Sequence, residues 1–327
     1  LLPRLVLEGF KGKIIVTQNT FLVMKSLLMN CAYIVCEEAK ILSKRYHREY
    51  RPLYDEDDVK ETLRHVEVYD RYHEIYQLNN EISFQWLKNS HCLGAAQLQL
   101  ICSSKMKTRK ILYTSDIGAL HTRNHYLDDT EIPDMFNDIT IMESTYGSKA
   151  RTTNKTREDD VEHLRSAIQT VLERGGSLVF PCFSFSRTQE ILTIVYALFG
   201  TNDGFNYPVV VDSILSCEIS KLYSSMLTED RLSLWESVLH WKNVRFISEK
   251  TESQECLADD EPKIIISSSG FCTNGRIIKY LQKYLKDSNS MIVFSGYTGD
   301  NQSYLSFRIK NFRNHKTISI NKVPTPN

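Results

Sequence analysis

The sequence predicts an α/β fold that contains a parallel sheet covered on both faces. Apolar, strand-like runs alternate with helix-like runs through the second half of the chain, an alternation typical of parallel sheets. In the first half, the apolar runs LQLICSS and KILYTSD flank the basic turn KMKTR, which predicts a hairpin. The chain has 327 residues, enough for one large or two medium domains.

In the first half, the segment KGKIIVTQ (11–18) predicts a short strand. The apolar spacing of residues 19–46 predicts a helix. Acidic residues open a second predicted helix at 54–69, where they complement the helix dipole. The segment DITIMEST (138–145) predicts a further strand.

In the second half, the predicted order begins with a helix at 157–176 that a Gly-Gly pair ends. Three strand–helix pairs and a last strand follow, read from SLVFPCF, SRTQEILTIVYALFG, YPVVVDS, LSCEISKLYSSML, PKIIISSSG, GRIIKYLQKYL and SMIVFSGY. We therefore expect one α/β piece over 1–147 and a second, nucleotide-fold-like unit from 148.

Composition limits the classes of partner. Apolar residues make up 42% and charged residues 24%, and the formal net charge is zero with a pI near 7.2. A nucleic-acid partner must then be attracted by a local patch, not by the charge of the whole protein. We expect no signal peptide, and no membrane span because no apolar run reaches about 18 residues.

The eight cysteines form no CxxC pair. They favour reduced core thiols in a cytoplasmic protein over disulfides or a zinc finger. The chain opens with Leu1 and closes abruptly after KVPTPN, and we interpret both ends as cuts through a larger polypeptide.

Three residues of the first half lie where strands are expected to end. His91 precedes a Gly-Ala-Ala run that allows close approach, although a single histidine is more often structural. Asp116 ends an apolar strand, and the alternative is a turn-capping Asp before Gly118. Glu143, at the end of another strand, needs a partner, which an ordinary ion pair would supply. Imidazole and carboxylate are ligands of hydrolytic zinc sites, so His91 and Asp116 on adjacent strands make a metal site plausible.

Two strand-to-helix loops of the second half carry hydroxyl groups. In PCFSFSRTQEIL (181–192), Ser184, Ser186 and Arg187 suit a phosphate group, or the serines simply cap the helix. The loop ISSSGFCTNGR (266–276) could cradle phosphate with backbone N–H groups, although it lacks the GK[ST] of a P-loop. The histidine pair in HTRNH (121–125) lacks a Glu or a strand context and is interpreted as surface.

Taken in order, seven segments resemble the β-CASP branch of the metallo-β-lactamase superfamily: SHCLGAA, YTSDIG, MESTYGSK, PCFSFSRTQEIL, VVVDS, SSSGFCTNGR and VFSGYTGDNQ. The resemblance runs from about residue 1 to 308. Members of this branch include RNA-processing ribonucleases such as RNase J and the cleavage and polyadenylation endonuclease. It implies an incomplete αββα sandwich over 1–147, an inserted parallel-sheet β-CASP cap over 148–295, and a return to the sandwich over 296–327.

The resemblance also implies a site. Two zinc ions would share a hydroxide for in-line attack on the phosphorus of RNA. His91 would bind one zinc, Asp116 would bridge both, and Glu143 would support a ligand or the attacking water, which makes Asp116 and Glu143 the catalytic residues. The cap would hold RNA through its phosphates, using Ser184, Ser186, Arg187, Ser268, Ser269 and Asn274. Further expectations are RNA as partner, a second copy of the chain as a candidate partner, no membrane, and a cytoplasmic location.

The chain also departs from the family pattern. The HxHxDH ligand cluster and the final ligand histidine are absent. A histidine expected near Ser306 as proton donor is missing, and the nearest is His315; the usual Glu-Gly-Thr is replaced by Asp300-Asn301-Gln302. At most two of the usual ligands are therefore present.

Three functions stay open at this point. A fragment of a zinc-dependent ribonuclease is favoured because a buried Asp and Glu without a cation would be costly. The alternatives are a non-catalytic β-CASP subunit that binds RNA or a catalytic partner, and a hydrolase of another substrate on the same fold.

Overall fold

The structure is a computed structural model, and it describes residues 1–133, 136–148, 156–312, 317–320 and 323–326. The chain divides into two compact units, Leu1–Lys149 and Ala150–Asn327.

The first unit contains helices α1 (Leu2–Leu7), α2 (Gln18–Tyr46) and α3 (Glu56–Arg64), and strands β1 (Ile14–Val16), β2 (Val66–Val68), β3 (Tyr76–Gln77), β4 (Ile82–Lys88), β5 (Ala96–Ser103), β6 (Thr108–Tyr113) and β7 (Ile139–Ile141). Strands β1 and β2 form a parallel pair, and the other five form one sheet in the order β3-β4-β5-β6-β7. The hairpin between β5 and β6 is confirmed, with Ser103 opposite Thr108.

Strand direction in this sheet places the candidate site. Strands β4 and β6 both run antiparallel to β5, so they are parallel to each other and their carboxyl ends lie at the same edge. The loops that carry His91 and Asp116 follow those two ends.

The predicted helix over 54–69 is seven residues longer than the observed one. Asp55 begins α3 with a capping box, because its side chain accepts from the backbone of Asp58 and the Asp58 side chain accepts from the Asp55 N–H. The helix ends at Arg64, and Val66–Val68 pairs with β1 instead. Its β-branched valines fit a strand better than a helix.

Helix α2 bears on the expectation that no segment of the chain is long and apolar enough to span a membrane. Its 29 residues include an 18-residue window of mean hydropathy 1.3, of which 22% is buried, so by length and composition alone it could cross a membrane. A single helix of this kind is weak evidence, because core helices and signal sequences pass the same test.

The second unit contains helices α4 (Arg157–Glu173), α5 (Arg187–Phe199), α6 (Ile214–Met226), α7 (Glu229–Leu239), α8 (Lys250–Ala258), α9 (Ile277–Tyr284) and α10 (Leu305–Asn311), and strands β8 (Leu178–Pro181), β9 (Val209–Asp212), β10 (Val244–Ile247), β11 (Ile264–Ser267), β12 (Met291–Ile292), β13 (Thr317–Ile320) and β14 (Val323–Pro326). Strands β13 and β14 form an antiparallel pair.

The parallel sheet covered on both faces is confirmed in this unit. Its order is β10-β9-β11-β8-β12, and every pairing is parallel. Every residue of β8, β9 and β11 is buried, whichever face it points to. Burying one Val, Leu or Ile side chain stabilises a fold by about 1.5–3 kcal/mol, so these strands are the main apolar core. Strand β12 is shorter than its predicted apolar run.

The expectation of core thiols holds for half of the cysteines, since Cys31 is exposed and Cys36, Cys92 and Cys102 are half-buried. All eight are free thiols, and four of them are buried: Cys182, Cys217, Cys256 and Cys272. Burial raises the pKa of both the Cys182 and the Cys272 thiol to about 12.

Candidate functional site

His91 and Asp116 come together at the end of the sheet where β4 and β6 both finish. The His91 Nε2 atom lies 3.9 Å from the Asp116 Oδ2 atom. Two donors that bind one tetrahedral zinc ion at about 2.0–2.2 Å lie roughly 3.4 Å apart. The observed separation is therefore close to that of two ligands of a common cation.

Asn89 joins the two loops that carry these side chains. Its amide nitrogen donates to the carbonyls of Thr114 and Asp116 at 3.0 and 2.9 Å. Its amide oxygen accepts from the N–H groups of His91 and Gly118, both at 3.0 Å. This buried amide thus fixes the backbone on each side of the His91–Asp116 pair.

Two glycines allow the backbone of the site to approach its neighbours. A Cβ atom at Gly118 would lie 2.2 Å from the carbonyl carbon of Ser90 and 2.5 Å from the His91 nitrogen. Gly94 has a φ of +92°, a value that favours glycine. The Gly94 carbonyl accepts from the hydroxyls of Thr17 and Thr20 at the start of α2. The His91 loop is thus tied both to the Asp116 loop and to α2.

Glu143 lies beside the same loops. One of its carboxylate oxygens accepts from the Ile117 N–H at 3.3 Å and the other accepts from the Thr145 N–H at 2.8 Å. The hydrogen bonds from Thr145 and then from Ile117, with a smaller contribution from His91, hold the pKa of Glu143 below its usual value. Glu143 is therefore an ionised hydrogen-bond acceptor that holds the backbone next to Asp116.

The expectation that these acids are buried is wrong. The Asp116 side chain is 75% exposed and that of His91 is 47% exposed, and Glu143 is only half-buried. They lie in the loops that follow β4, β6 and β7, where water reaches them. The cost of burying an uncompensated charge therefore gives no support to a metal here.

The donor types fit a zinc ion, but the set is incomplete. Zinc takes three or four protein ligands, and His91 and Asp116 are two. Among the residues that the structure describes, no group of three or more His, Cys, Asp or Glu side chains is placed to hold a metal ion. We derive no chemical step through a metal from these residues.

In the second unit, three serines line up where β8, β9 and β11 end. The Ser213 hydroxyl lies 2.7 Å from that of Ser268 and 3.5 Å from that of Ser184. Ser213 also caps α6 by accepting from the Ser216 N–H. Ser184 and Ser268 are thus brought together as predicted for parallel strands, through Ser213, a residue that the sequence did not single out.

The simple helix-capping alternative fails for Ser186. This residue is the N-cap of α5, but its side chain makes no capping hydrogen bond, and its φ is +69°. Arg187 is exposed, and its side chain makes no hydrogen bond or ion pair with the residues that the structure describes, although its backbone N–H donates to Phe185 O. Ser186 and Arg187 are therefore available to a ligand at the start of α5.

The loop 268–276 is folded on itself. The N–H groups of Ser269, Cys272 and Thr273 are used inside the loop, on Asn274 O, Ser269 O and the Ser269 hydroxyl. A cradle of backbone N–H groups could not include these three. Asn274 is exposed, and its side chain makes no hydrogen bond within the described part of the chain, so it stays available.

A buried network that the sequence did not indicate supports this loop. The fully buried Asp212 carboxylate accepts from Arg276 Nη1, the Tyr280 hydroxyl and the Ser253 hydroxyl, each at 2.6 Å. Burial and the bond to Asp212 raise the pKa of Tyr280 above its usual value. Next to it is a cavity of about 180 Å³, lined by Lys250, Ser253, Gln254, Leu257, Arg276 and Lys279. The only sequence signal was an Asp at the end of an apolar strand.

Of the remaining candidates, His121 and Ser306 have other partners, and Ser306 also donates its N–H to Phe271 O of the 268–276 loop. His121 pairs with Asp129 at 3.0 Å, and both side chains are exposed. Ser306 is buried and donates to Thr298 O, and Asp300, Asn301 and Gln302 are exposed. His315, the nearest histidine to the expected proton donor, lies outside the described residues.

Comparison with known proteins gives consistent matches. A family model described as the Beta-Casp domain matches residues 188–302. The RNase J-like protein of Methanocaldococcus jannaschii is 30% identical over 251 residues, which are 76% of this chain and 56% of that protein. Ribonuclease TTHA0252 of Thermus thermophilus is 26% identical over 306 residues (90% and 64%). Endoribonuclease YSH1 of Candida glabrata is 24% identical over 309 residues (89% and 37%).

The chain thus spans between about a third and two-thirds of the length of these relatives. The matched domain covers α5 to the loop after β12, and the longer alignments add the first unit with its His91–Asp116 pair. Together with the series of seven motifs, these findings show that the chain belongs to the β-CASP branch of the metallo-β-lactamase superfamily.

Proposed function

We propose that the protein is a metal-dependent hydrolase that cleaves phosphodiester bonds of RNA. The observation that carries this proposal is the 3.9 Å approach of His91 Nε2 to Asp116 Oδ2 at one sheet edge, with Glu143 fixed beside them. It is supported by relatives whose names are ribonuclease and endoribonuclease. Imidazole and carboxylate are ligand types that hydrolytic zinc sites use.

In this proposal, His91 and Asp116 are two ligands of a pair of zinc ions, and the other ligands come from outside the described residues. When bound, zinc would activate water and stabilise negative charge on the phosphate. Asn89 and Glu143 hold the two ligand loops in place, because each accepts a backbone N–H from the Asp116–Gly118 segment. Glu143 stays ionised at neutral pH and accepts hydrogen bonds.

The second unit would hold the RNA strand by its phosphates. Ser184, Ser186, Arg187, Ser268, Ser269 and Asn274 are proposed contacts, since hydroxyl, amide and guanidinium groups suit phosphate oxygens. Such contacts fix the position of the strand without selecting a base sequence.

The proposal extends to the fold around the site. The incomplete αββα sandwich would place a second sheet against β6 and β7, whose side chains Tyr113, Ile139 and Ile141 are about half exposed. A cytoplasmic location is supported by the eight free thiols. RNA is the proposed partner; nothing in the described residues favours a homodimer or a membrane contact beyond the composition of α2.

The test is RNA cleavage and zinc content of the full-length protein with Asp116→Asn. We expect cleavage to fall by at least about 100-fold, because removal of one group in the machinery typically costs that much, and we expect bound zinc to fall as well. The control is Asp129→Asn, which alters an exposed acid paired with His121 and should leave both unchanged. Equal cleavage by wild type and Asp116→Asn would contradict the proposal.

The same experiment separates the alternatives. A wild-type protein that binds RNA with less than one zinc per chain and cleaves nothing would be a scaffold subunit. Intact RNA together with hydrolysis of another ester would indicate a hydrolase of a different substrate.

A further inference from the structure

An exposed aromatic ring stands at the carboxyl end of β8 in the second unit. Phe183 is 45% exposed, whereas its neighbours Cys182 and Ser184 are 1% and 8% exposed. Single exposed apolar side chains are common on protein surfaces. This ring differs because its backbone and its surroundings are fixed.

Hydrogen bonds hold the backbone of this ring on both sides. The Phe183 carbonyl accepts from both the N–H and the hydroxyl of Thr188, at 3.2 and 2.8 Å. The preceding N–H, of Cys182, donates to Ser267 O at 2.9 Å. The ring is therefore presented from the rigid end of a core strand and the first turn of α5.

Neighbouring residues support the ring from one side. Phe271 meets it edge to face, with centroids 5.1 Å apart, and Phe271 packs in turn on Tyr304 at 4.7 Å. A Cβ atom at Gly270 would lie 3.0–3.3 Å from three carbons of the Phe183 ring. The backbone of Gly270 thus lies against the ring, and nearly half of the Phe183 surface remains open to solvent.

Groups that suit phosphate adjoin this open surface along the chain. Ser186 follows three residues later, and the exposed Arg187 opens α5, whereas Ser184 is buried. A flat aromatic surface beside a cation and hydroxyls is the combination by which proteins hold single-stranded nucleic acids: the bases stack and the backbone is bound electrostatically.

We infer that Phe183 is a stacking platform for one nucleobase of single-stranded RNA. This inference rests on the proposed function, to which it adds the state of the substrate: unpaired at the platform, with any of the four bases accepted. The tolerance follows from the π-face that every base offers. The edge-to-face contact with Phe271 favours this position of the ring when the strand is absent.

The test compares wild type with Phe183→Leu in binding a fluorescent single-stranded RNA. We expect the dissociation constant to rise about tenfold, within the range of about 5- to 150-fold that corresponds to loss of one base–aromatic stack. A series of oligonucleotides with one abasic position each should contain a position at which wild type and Phe183→Leu bind equally, because no base is there to stack. The matched control is Phe136→Leu, at a phenylalanine that is 84% exposed in the first unit, which should bind as wild type does.

A second variant guards against a folding defect in Phe183→Leu. Phe183→Trp should bind at least as tightly as wild type, and its added fluorescence should be quenched by the RNA but not by inorganic polyphosphate. Unchanged RNA affinity in Phe183→Leu, with wild-type binding intact, would overturn the platform and leave the proposed function standing. Failure of the wild-type protein to bind any RNA would overturn both.

Discussion

Asn89 is not a proposed metal ligand, but its side chain fixes the two loops that carry the proposed ligands His91 and Asp116. Its two amide protons meet two carbonyls and its oxygen meets two N–H groups, so all of its usual hydrogen-bonding capacity is used. The polarity of this amide is therefore specified, because a group that only accepts would face the Thr114 and Asp116 carbonyls without a proton between them.

We predict that Asn89→Asp lowers the free energy of unfolding by about 2 kcal/mol or more. The new carboxylate is buried, and it leaves two carbonyls unpaired, at about 1–3 kcal/mol for each unsatisfied group. Urea denaturation at pH 7 measures this. The control is Asn79→Asp, because Asn79 uses its side-chain oxygen alone, as acceptor from Glu81 and Ile82, and a carboxylate can do the same. Equal losses in the two variants would contradict the assignment.

At this scale the sequence indicated the ligand candidates but not their support. His91 and Asp116 were recognisable because strand ends place polar side chains at a sheet edge. Asn89 was not, since its role depends on four backbone groups from two loops that meet only in the fold. Burial was mispredicted for Asp116 for a related reason: an apolar run shows where a strand lies, but not how far its end projects into water.

Two lysines that follow helix α8 in the sequence bind the carbonyl groups at its carboxyl end. The ammonium group of the buried Lys263 donates to Asp259 O at 2.9 Å and Cys256 O at 3.5 Å. The Lys283 ammonium group donates to Leu257 O and also to Asp259 O, at 2.7 and 3.0 Å. Two cations thus satisfy the free carbonyls at the negative end of the helix dipole.

The ion pair of Lys263 with Asp259 predicts a pH dependence. Hydrogen bonding to Lys263 holds the pKa of Asp259 below its ordinary value of 3.8, so the pair stabilises the fold above that value and is lost as the pH falls through the lower folded-state pKa. Asp259→Asn should cost about 1–2 kcal/mol at pH 7, after discounting for the 42% exposure of Asp259. The difference between the variant and wild type should shrink below pH 3.8.

Unfolding titrations of both proteins between pH 7 and pH 3 test this prediction. Asp260→Asn is the control, because Asp260 is 89% exposed where it pairs with Lys283, and it should change stability much less. A loss in Asp259→Asn that is independent of pH would show that the ion pair is not its cause.

Elements with a strong local pattern were predictable, and strands whose sequence carries no such pattern were not. The buried strands of the parallel sheet and the long helices α2, α4, α5 and α6 follow the predicted runs. Strand β4 was missed because ISFQWLK mixes polar and apolar residues on a sheet that has glutamines paired across it, Gln85 with Gln99. Strand β2 was taken for helix because its partner β1 is about fifty residues away and leaves no local signal.

The net charge of the whole chain is zero, so it cannot attract a polyanion such as RNA. The 40 basic and 40 acidic side chains cancel, so RNA binding must depend on a few local contacts. Arg187 is the candidate that the fold leaves exposed beside hydroxyl groups. Family membership alone could not distinguish it from other arginines, since fold does not fix function.

We predict that Arg187→Gln makes the salt dependence of RNA affinity shallower. For single-stranded RNA, the slope of the logarithm of the binding constant against that of salt is about −0.7 for each neutralised phosphate, so loss of one contact should reduce its magnitude by about 0.7. Filter binding between 50 and 200 mM salt measures both slopes. Arg245→Gln is the control, since Arg245 is exposed on the edge strand β10. Because the net charge changes equally in both variants, parallel slopes would mean that RNA responds to the total charge of the protein and that Arg187 holds no phosphate.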